Sequence, residues 1–306
     1  MEYTVVIRTL GTAGEKYQVM LDSLLKQTIK PAKIIVYIAD GYQVPKETVG
    51  VEKYVYVKKG MVAQRALNYE DVETEYILFL DDDVYLPPDG VEHLWMALKQ
   101  MNGDVIAPDV FKNAERTVIQ EITLSLSGRI CVRRNDSKWG YKVTRNGGYS
   151  YNKHPLPTMK SQTNAGPCYL CKKKDFISIR FEQELWLDEM PYALGDDQTM
   201  FYKMYINGLT VLTSYDSGII HLDAGTSIVN ERKEMVLAYC DCRFKTIFWK
   251  KFLMKKASLG NMILDIICFT YTMVINLLLS VIKGRFGVLK QKWLGYKAGF
   301  QYKIVE

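Results

Sequence analysis

Apolar residues recur along the first eighty positions with two different periods, and the switches between them mark the elements. Residues 3–8 (YTVVIR) form a β-branched run that reads as a strand. Gly11, Thr12 and Gly14 then supply a turn, and Tyr17, Met20, Leu21, Leu24 and Leu25 stand at helical spacing, which predicts a helix ending before Pro31. Residues 33–39 (KIIVYIA) read as a second strand closed by Asp40 and Gly41, residues 53–57 as a third, residues 62–68 as a helix, and residues 76–80 (YILFL) as a fourth strand. Such successive βα units predict a doubly wound, mainly parallel α/β sheet, in which ligands bind beyond the carboxyl ends of the strands.

The pattern loosens over residues 113–160, where RNGGYSYNKHPLP (145–157) reads as loop, and order returns over 164–176 and on to about residue 226. The end of the chain differs in kind. A basic, aromatic segment (243–256) leads into residues 266–282, which carry no formal charge, and a membrane span needs ~17 to 25 such residues. Lys250, Lys251, Lys255 and Lys256 precede it and Lys283, Arg285, Lys290 and Lys292 follow, so the flanking charge defines no inside and outside. A helix or hairpin lying on the membrane surface is the preferred expectation, with a true span and a buried soluble helix as alternatives. The chain thus divides into residues 1–235, with halves 1–110 and 111–235, and a basic, apolar helical tail, 236–306.

Composition adds three constraints. With 306 residues, 48% of them hydrophobic, the chain can bury a sizeable core and disorder is not the default. Lys and Arg outnumber Asp and Glu by 40 to 34, with much of the excess beyond residue 230. Those charges flank an apolar segment and do not line a groove, so a nucleic-acid partner is not expected. The six cysteines accompany a strand-like N-terminus without the pattern of a signal peptide, which fits a reducing cytoplasm. Cys168-x-x-Cys171 with Cys240-x-Cys242 is a weak zinc signal beside the reading of buried thiols.

The chemistry concentrates in three places. In YILFLDDDV an apolar strand runs directly into Asp81, Asp82 and Asp83, whose mutual repulsion a divalent cation would offset while offering open positions to phosphate oxygens. If the strand stays extended, Asp81 and Asp83 converge and Asp82 points elsewhere. A second acidic pair, Asp196-Asp197, stands before the helical stretch TMFYKMYING, where one residue could cap the helix and the other face the cleft as a general base. His221, one of three histidines, follows a strand-like region and becomes a metal-ligand candidate in the company of that carboxylate cluster.

These segments carry a resemblance. Over residues 3 to about 255 the chain resembles glycosyltransferase family 2, of the GT-A fold and close to its rhamnosyltransferase-like branch. The similarity of VVIRT…SLLKQTIKPAKIIVYIADG to the nucleotide-binding half implies that Asp40 and Thr9 serve the base pocket. KKGMVAQRALN puts Gly60, Gln64 and Arg65 near the nucleotide or diphosphate, with Arg65 assisting the leaving phosphate. LDDDV matches the DxD motif, giving Asp81, Asp82 and Asp83 metal and ribose or phosphate contacts; IIHLD gives His221 as the late metal ligand. NAGPCYLCKKKDF places Asn164 and Gly166 on the acceptor side with Asp196, and GDDQTMFYKM places Asp197 at the base position.

Two departures stand out. Asp196 replaces the usual Glu, and Arg8 and Gly11 stand where Pro and Asn are common. The resemblance implies an inverting transferase that uses Mg²⁺ or Mn²⁺. Its donor would be a nucleotide-diphosphate sugar and its acceptor a glycan or lipid-linked glycan in bacterial surface polysaccharide synthesis, at the cytoplasmic face of the inner membrane. A sugar nucleotidyltransferase and a non-catalytic sugar-nucleotide-binding protein are the rival readings. The first would need a phosphate loop after the first strand, where LGTAGEKYQ reads better as a helix start.

Overall fold

A computed structural model describes residues 1–110, 117–126, 128, 138–222 and 230–304. Cys131 and the stretch leading to residue 226 lie partly or wholly outside the described residues. The first half follows the expected order: β1 (Tyr3–Thr9), α1 (Glu15–Leu25), β2 (Lys33–Ala39), β3 (Glu52–Val57), β4 (Tyr76–Asp81), β5 (Val84–Tyr85), α2 (Gly90–Gln100) and β6 (Val105–Pro108). The expected helix over residues 62–68 is instead a short hydrogen-bonded turn: Asp188 accepts from the Val62 and Ala63 amides at 3.0 and 2.9 Å, and the i to i−4 bonds stop at Ala66.

The second half holds α3 (Val118–Leu126), β7 (Trp139–Val143), β8 (Tyr149–Tyr151), β9 (Thr158–Ser161), β10 (Cys168–Lys172), α4 (Lys173–Ser178), α5 (Asp196–Ile206), β11 (Val211–Ser214) and β12 (Ile220–His221). Part of the stretch expected to be loop is a hairpin: β7 and β8 pair antiparallel, and the Asn146-Gly147 turn closes with Gly147 at φ +78. The polar turn residues are what made it read as loop.

The main sheet has ten strands in the order β3-β2-β1-β4-β10-β6-β11-β9-β7-β8, with β3, β2, β1 and β4 parallel and β10 inserted antiparallel between β4 and β6. Side-chain alternation sorts the two faces. Tyr3, Val5 and Ile7 of β1 and Leu78 and Leu80 of β4 pack against Tyr17, Met20, Leu21 and Leu24 of α1 and Leu94 and Leu98 of α2. On the opposite face Val6, Ile77, Phe79 and Tyr169 meet Met200, Phe201 and Met204 of α5. Helices on both faces of a largely parallel sheet make the doubly wound α/β arrangement expected from the sequence.

The later described residues hold the α-helices α6 (Glu231–Phe248), α7 (Leu259–Ile282) and α8 (Phe286–Gln301). Phe244, Ile247 and Phe248 of α6 join the core beneath the sheet, so the start of the tail is continuous with the α/β body. Helix α8 lies close along α6 because Gly295 and Gly299 have no Cβ; one there would stand 2.4 Å from the Tyr239 carbonyl oxygen and 2.5 Å from the Thr246 Cβ.

Helix α7 is inverted. Its polar residues turn inward: Asp265 bonds Arg145 at 2.7 Å, Thr272 accepts from Asn146 at 2.9 Å, Asn276 donates to Tyr296 at 3.0 Å and Ser280 accepts from Lys292 at 2.9 Å. Leu259, Ile263, Ile267, Val274, Leu278 and Ile282 face outward and are exposed. Only 11% of its apolar window is buried, so α7 is not a core helix within the described residues of this chain.

Candidate functional site

A cleft of about 1200 Å³ opens at the carboxyl ends of β1 and β4. Its lining contains Thr9, Gly60, Gln64, Asp81, Asp82, Asp83, Asn164, Asp196, Asp197 and His221, so residues far apart in the chain meet in one place. Asp40 follows β2 at the same sheet edge but is exposed and lies outside that lining.

The strand-end acids do not behave as an extended strand requires. Strand β4 ends at Asp81 and the chain turns at Asp82 and Asp83, so the three carboxylates fan out to three different partners. Asp81 lies in register with Arg8 of β1, on the same face, and Arg8 grips it at 2.5 Å through Nε and 2.9 Å through Nη2. Burial alone would raise the Asp81 carboxyl, but Arg8, Arg65 and His221 outweigh it and hold the group below its ordinary value. Asp82 accepts from the Thr9 hydroxyl. Burial, added to by Asp81 and Asp83, pushes Asp82 up to about 6 in spite of that hydrogen bond.

Asp83 reaches His221: Nε2 and Oδ2 stand 3.0 Å apart. The small β5–β12 ladder makes this pair, aligning His221 with Val84, while the Leu222 amide bonds the Asp83 carbonyl at 2.8 Å. The carboxylate oxygen of such a pair suits Mg²⁺ or Mn²⁺, whereas the imidazole nitrogen is a donor more at home on softer divalent metals. No three His, Cys, Asp or Glu side chains converge among the described residues, so a cation held by Asp83 and His221 would take its other ligands from substrate and water. Asp81, the third ligand named from the sequence, has its carboxylate engaged by Arg8.

The opposite wall is built on the first turn of α5. Gly195 is the N-cap and neither aspartate caps the helix, contrary to the capping role considered for one of them. Both side chains instead share the guanidinium of Arg65, which is 2% exposed: Nη1 lies 2.9 Å from Asp196 and 2.5 Å from Asp197. Arg65 Nη2 donates to the Gly166 carbonyl at 3.0 Å and stands 3.9 Å from Asp81. Burial opposes its charge, but Asp197, Asp196 and Asp81 more than offset this and hold Arg65 above its ordinary value. Arg65, assigned to the diphosphate by resemblance, therefore clamps the acidic wall.

Asp196 is buried, and burial together with Asp197 raises its carboxyl, although Arg65 at 2.9 Å and Arg8 at 3.8 Å favour its charged form. Asp197 is the accessible member, its side chain 31% exposed. Its second oxygen accepts from the Gly166 amide at 2.9 Å. Only glycine fits there, because a Cβ on residue 166 would lie 2.1 Å from Asp197 Oδ1.

Two other residues behave more as scaffold. Gln64 donates to the Thr9 carbonyl at 3.2 Å, and Asn164 donates to Thr213 Oγ1 at 3.0 Å. The sequence reading missed Asp188, which shapes the turn carrying Gln64 and Arg65, and Asp241, Phe244 and Lys245, which α6 brings into the lining. It noted Arg8 only as a departure, although strand parity already put it on the Asp81 face.

No protein-family model and no curated protein matches the chain. Among solved structures it is similar to residues 1–349 of S. aureus TarS in complex with UDP-GlcNAc, at 13% identity and a TM-score of 0.45, covering 98% of this chain and 92% of that one. A second structure of S. aureus TarS gives 14% identity and a TM-score of 0.44, covering 85% of this chain and 45% of that one. The comparison gives no support for the rhamnosyltransferase-like branch, and at this level of likeness the chemistry rests on the residues of the cleft.

Proposed function

We propose that the protein is a glycosyltransferase that moves a sugar from a nucleotide-diphosphate sugar to a hydroxyl of a glycan or lipid-linked glycan, inverting the anomeric carbon. The observation that carries this reading is the meeting, in one cleft, of the strand-end cluster Asp81–Asp83 with His221 and an accessible carboxylate, Asp197, held on the facing wall. A bound Mg²⁺ or Mn²⁺ at Asp83 and His221 would supply positive charge to the diphosphate as it leaves. Asp197 takes the proton of the acceptor hydroxyl as that oxygen attacks the anomeric carbon from the side opposite the diphosphate. Arg65 and the Gly166 amide keep the Asp197 carboxylate in one orientation for this step. Thr9 and Asp82 are the polar groups on offer to the nucleotide.

The test is release of nucleoside diphosphate from a panel of nucleotide sugars. One or more donors should turn over with Mn²⁺ or Mg²⁺ and stop on chelation. Turnover at full rate in excess chelator would remove the metal role given to Asp83 and His221.

The reading includes a place at the cytoplasmic face of a bacterial membrane, through the outward apolar face of α7 and not by a span. Its inner side is bonded to the body along its length, from Asp265 to Ser280. Lipid would favour the outer face by ~0.8 kcal/mol per buried CH₂, and nearby lysines add about 1 kcal/mol each on an anionic surface. Full-length protein should sediment with anionic liposomes, more weakly but still measurably in high salt. Ile267→Glu with Leu278→Glu should release it. Protein wholly in the supernatant at low salt would end the membrane assignment.

A further inference from the structure

A second cavity, of about 490 Å³, lies between α6, α7 and α8, within the size range of small-ligand sites. Leu194 and Asp241 line both it and the large cleft, so the two spaces adjoin. Its other end reaches Leu279 and Lys283, where the exposed apolar face of α7 ends. The lining therefore combines Asp241, shared with the cleft, with the bases Lys283, Arg285 and Lys292 and the apolar Leu279 and Val288.

Bases outnumber acids in the lining, with Lys283, Arg285 and Lys292 against Glu234 and Asp241. The two acids of the lining are already paired, Glu234 with Arg285 and Asp241 with Lys245. Lys292 has only neutral oxygens as its described partners: the Asn276 carbonyl and side-chain oxygens at 3.2 and 2.6 Å, and Ser280 Oγ at 2.9 Å. Lys283 is exposed at the rim and makes no ion pair among the described residues. Lys292 is half-buried and hydrogen-bonds no carboxylate among the described residues; burial lowers its pKa in spite of nearby Asp241, a cost that an anionic ligand would reduce.

We infer that this cavity binds the phosphate end of a lipid-linked acceptor, with Lys292 and Lys283 on the phosphate, the hydrocarbon along the outer face of α7, and the sugar directed past Leu194 and Asp241 into the cleft. The inference rests on the glycosyltransferase reading for the direction of the sugar, but the cavity's chemistry stands apart from it. A free polar acceptor would need neither the basic floor nor the apolar exit. An anionic membrane phospholipid would need no opening toward the cleft.

The probe is farnesyl diphosphate, titrated calorimetrically into the full-length protein in non-ionic detergent. One saturable site is expected, with inorganic pyrophosphate and farnesol each at least about tenfold weaker, since each offers half of the contacts. Lys283→Glu, at an exposed helix end, and Lys292→Met should each weaken binding about tenfold or more, with unfolding midpoints measured in parallel. Lys283→Glu binding as the parent does, or pyrophosphate matching farnesyl diphosphate, would overturn the inference. So would phosphatidylglycerol competing as well as farnesyl diphosphate, which would assign the cavity to membrane lipid. Nucleotide-sugar binding to the parent protein is scored separately: its absence beside tight farnesyl diphosphate binding sinks the reading of the cleft and leaves the cavity standing.

Discussion

Asp197→Asn should lower kcat by ~10² or more and leave donor affinity nearly unchanged. The amide keeps the size of the side chain and can still accept from the Gly166 amide, which lies 2.9 Å away, but it cannot take a proton from an attacking hydroxyl. Arg65 keeps its contact with Asp196 at 2.9 Å, so the wall as a whole need not collapse. Steady-state kinetics with donor binding measured separately would distinguish loss of the base from loss of the substrate. Asp196→Asn is the matched control, because Asp196 is buried and bonded to the same guanidinium. Wild-type turnover in Asp197→Asn with loss in Asp196→Asn would transfer the base role to Asp196.

Arg65→Met should produce the largest loss of stability, about 3–5 kcal/mol, the cost of leaving buried charge without its partner. Methionine fills much of the volume, so the loss is electrostatic more than steric. It strands Asp196 and Asp197 side by side with Asp81 near them. Left with the more distant Arg8, 3.8 Å from Asp196 and already gripping Asp81, the two neighbouring carboxylates favour holding a proton, so their folded-state pKa rises above the unfolded value. A raised folded pKa means stability that is present at low pH and lost as pH rises through it. The deficit of the variant should therefore be greatest near neutral pH and shrink on acidification. Adding Asp196→Asn to Arg65→Met should recover part of it. Urea unfolding at two pH values tests both statements; a deficit that is small, or that grows on acidification, contradicts the clamp.

Much of the fold was legible because β1, β2 and β4 are buried on both faces and so appear as unbroken apolar runs. The order of strands was not legible, since nothing local to CYLCK says that it inserts antiparallel between two strands formed far earlier. The acidic cluster was visible as composition but its geometry was not: the turn after Asp81 separates three side chains that an extended chain would have alternated. Arg65 was visible only as a basic residue near the cluster, because its partners lie about 130 positions away in α5. The segment over 62–68 misled because its apolar spacing does not show that the helical bonds stop at Ala66. In α7 the inverted arrangement was there to be read: Asp265, Cys268, Thr272, Asn276 and Ser280 recur every three or four residues, a polar stripe in an apolar helix. A stripe of that kind marks the side that meets protein.

The most direct measurement is calorimetric titration of UDP-, GDP- and dTDP-sugars into the full-length protein with Mn²⁺ or Mg²⁺ present. One base class should bind at a single site, with affinity lost in chelator and in Asp83→Ala. Failure of every nucleotide sugar and every free nucleoside diphosphate to bind at millimolar concentration with metal present would contradict the account.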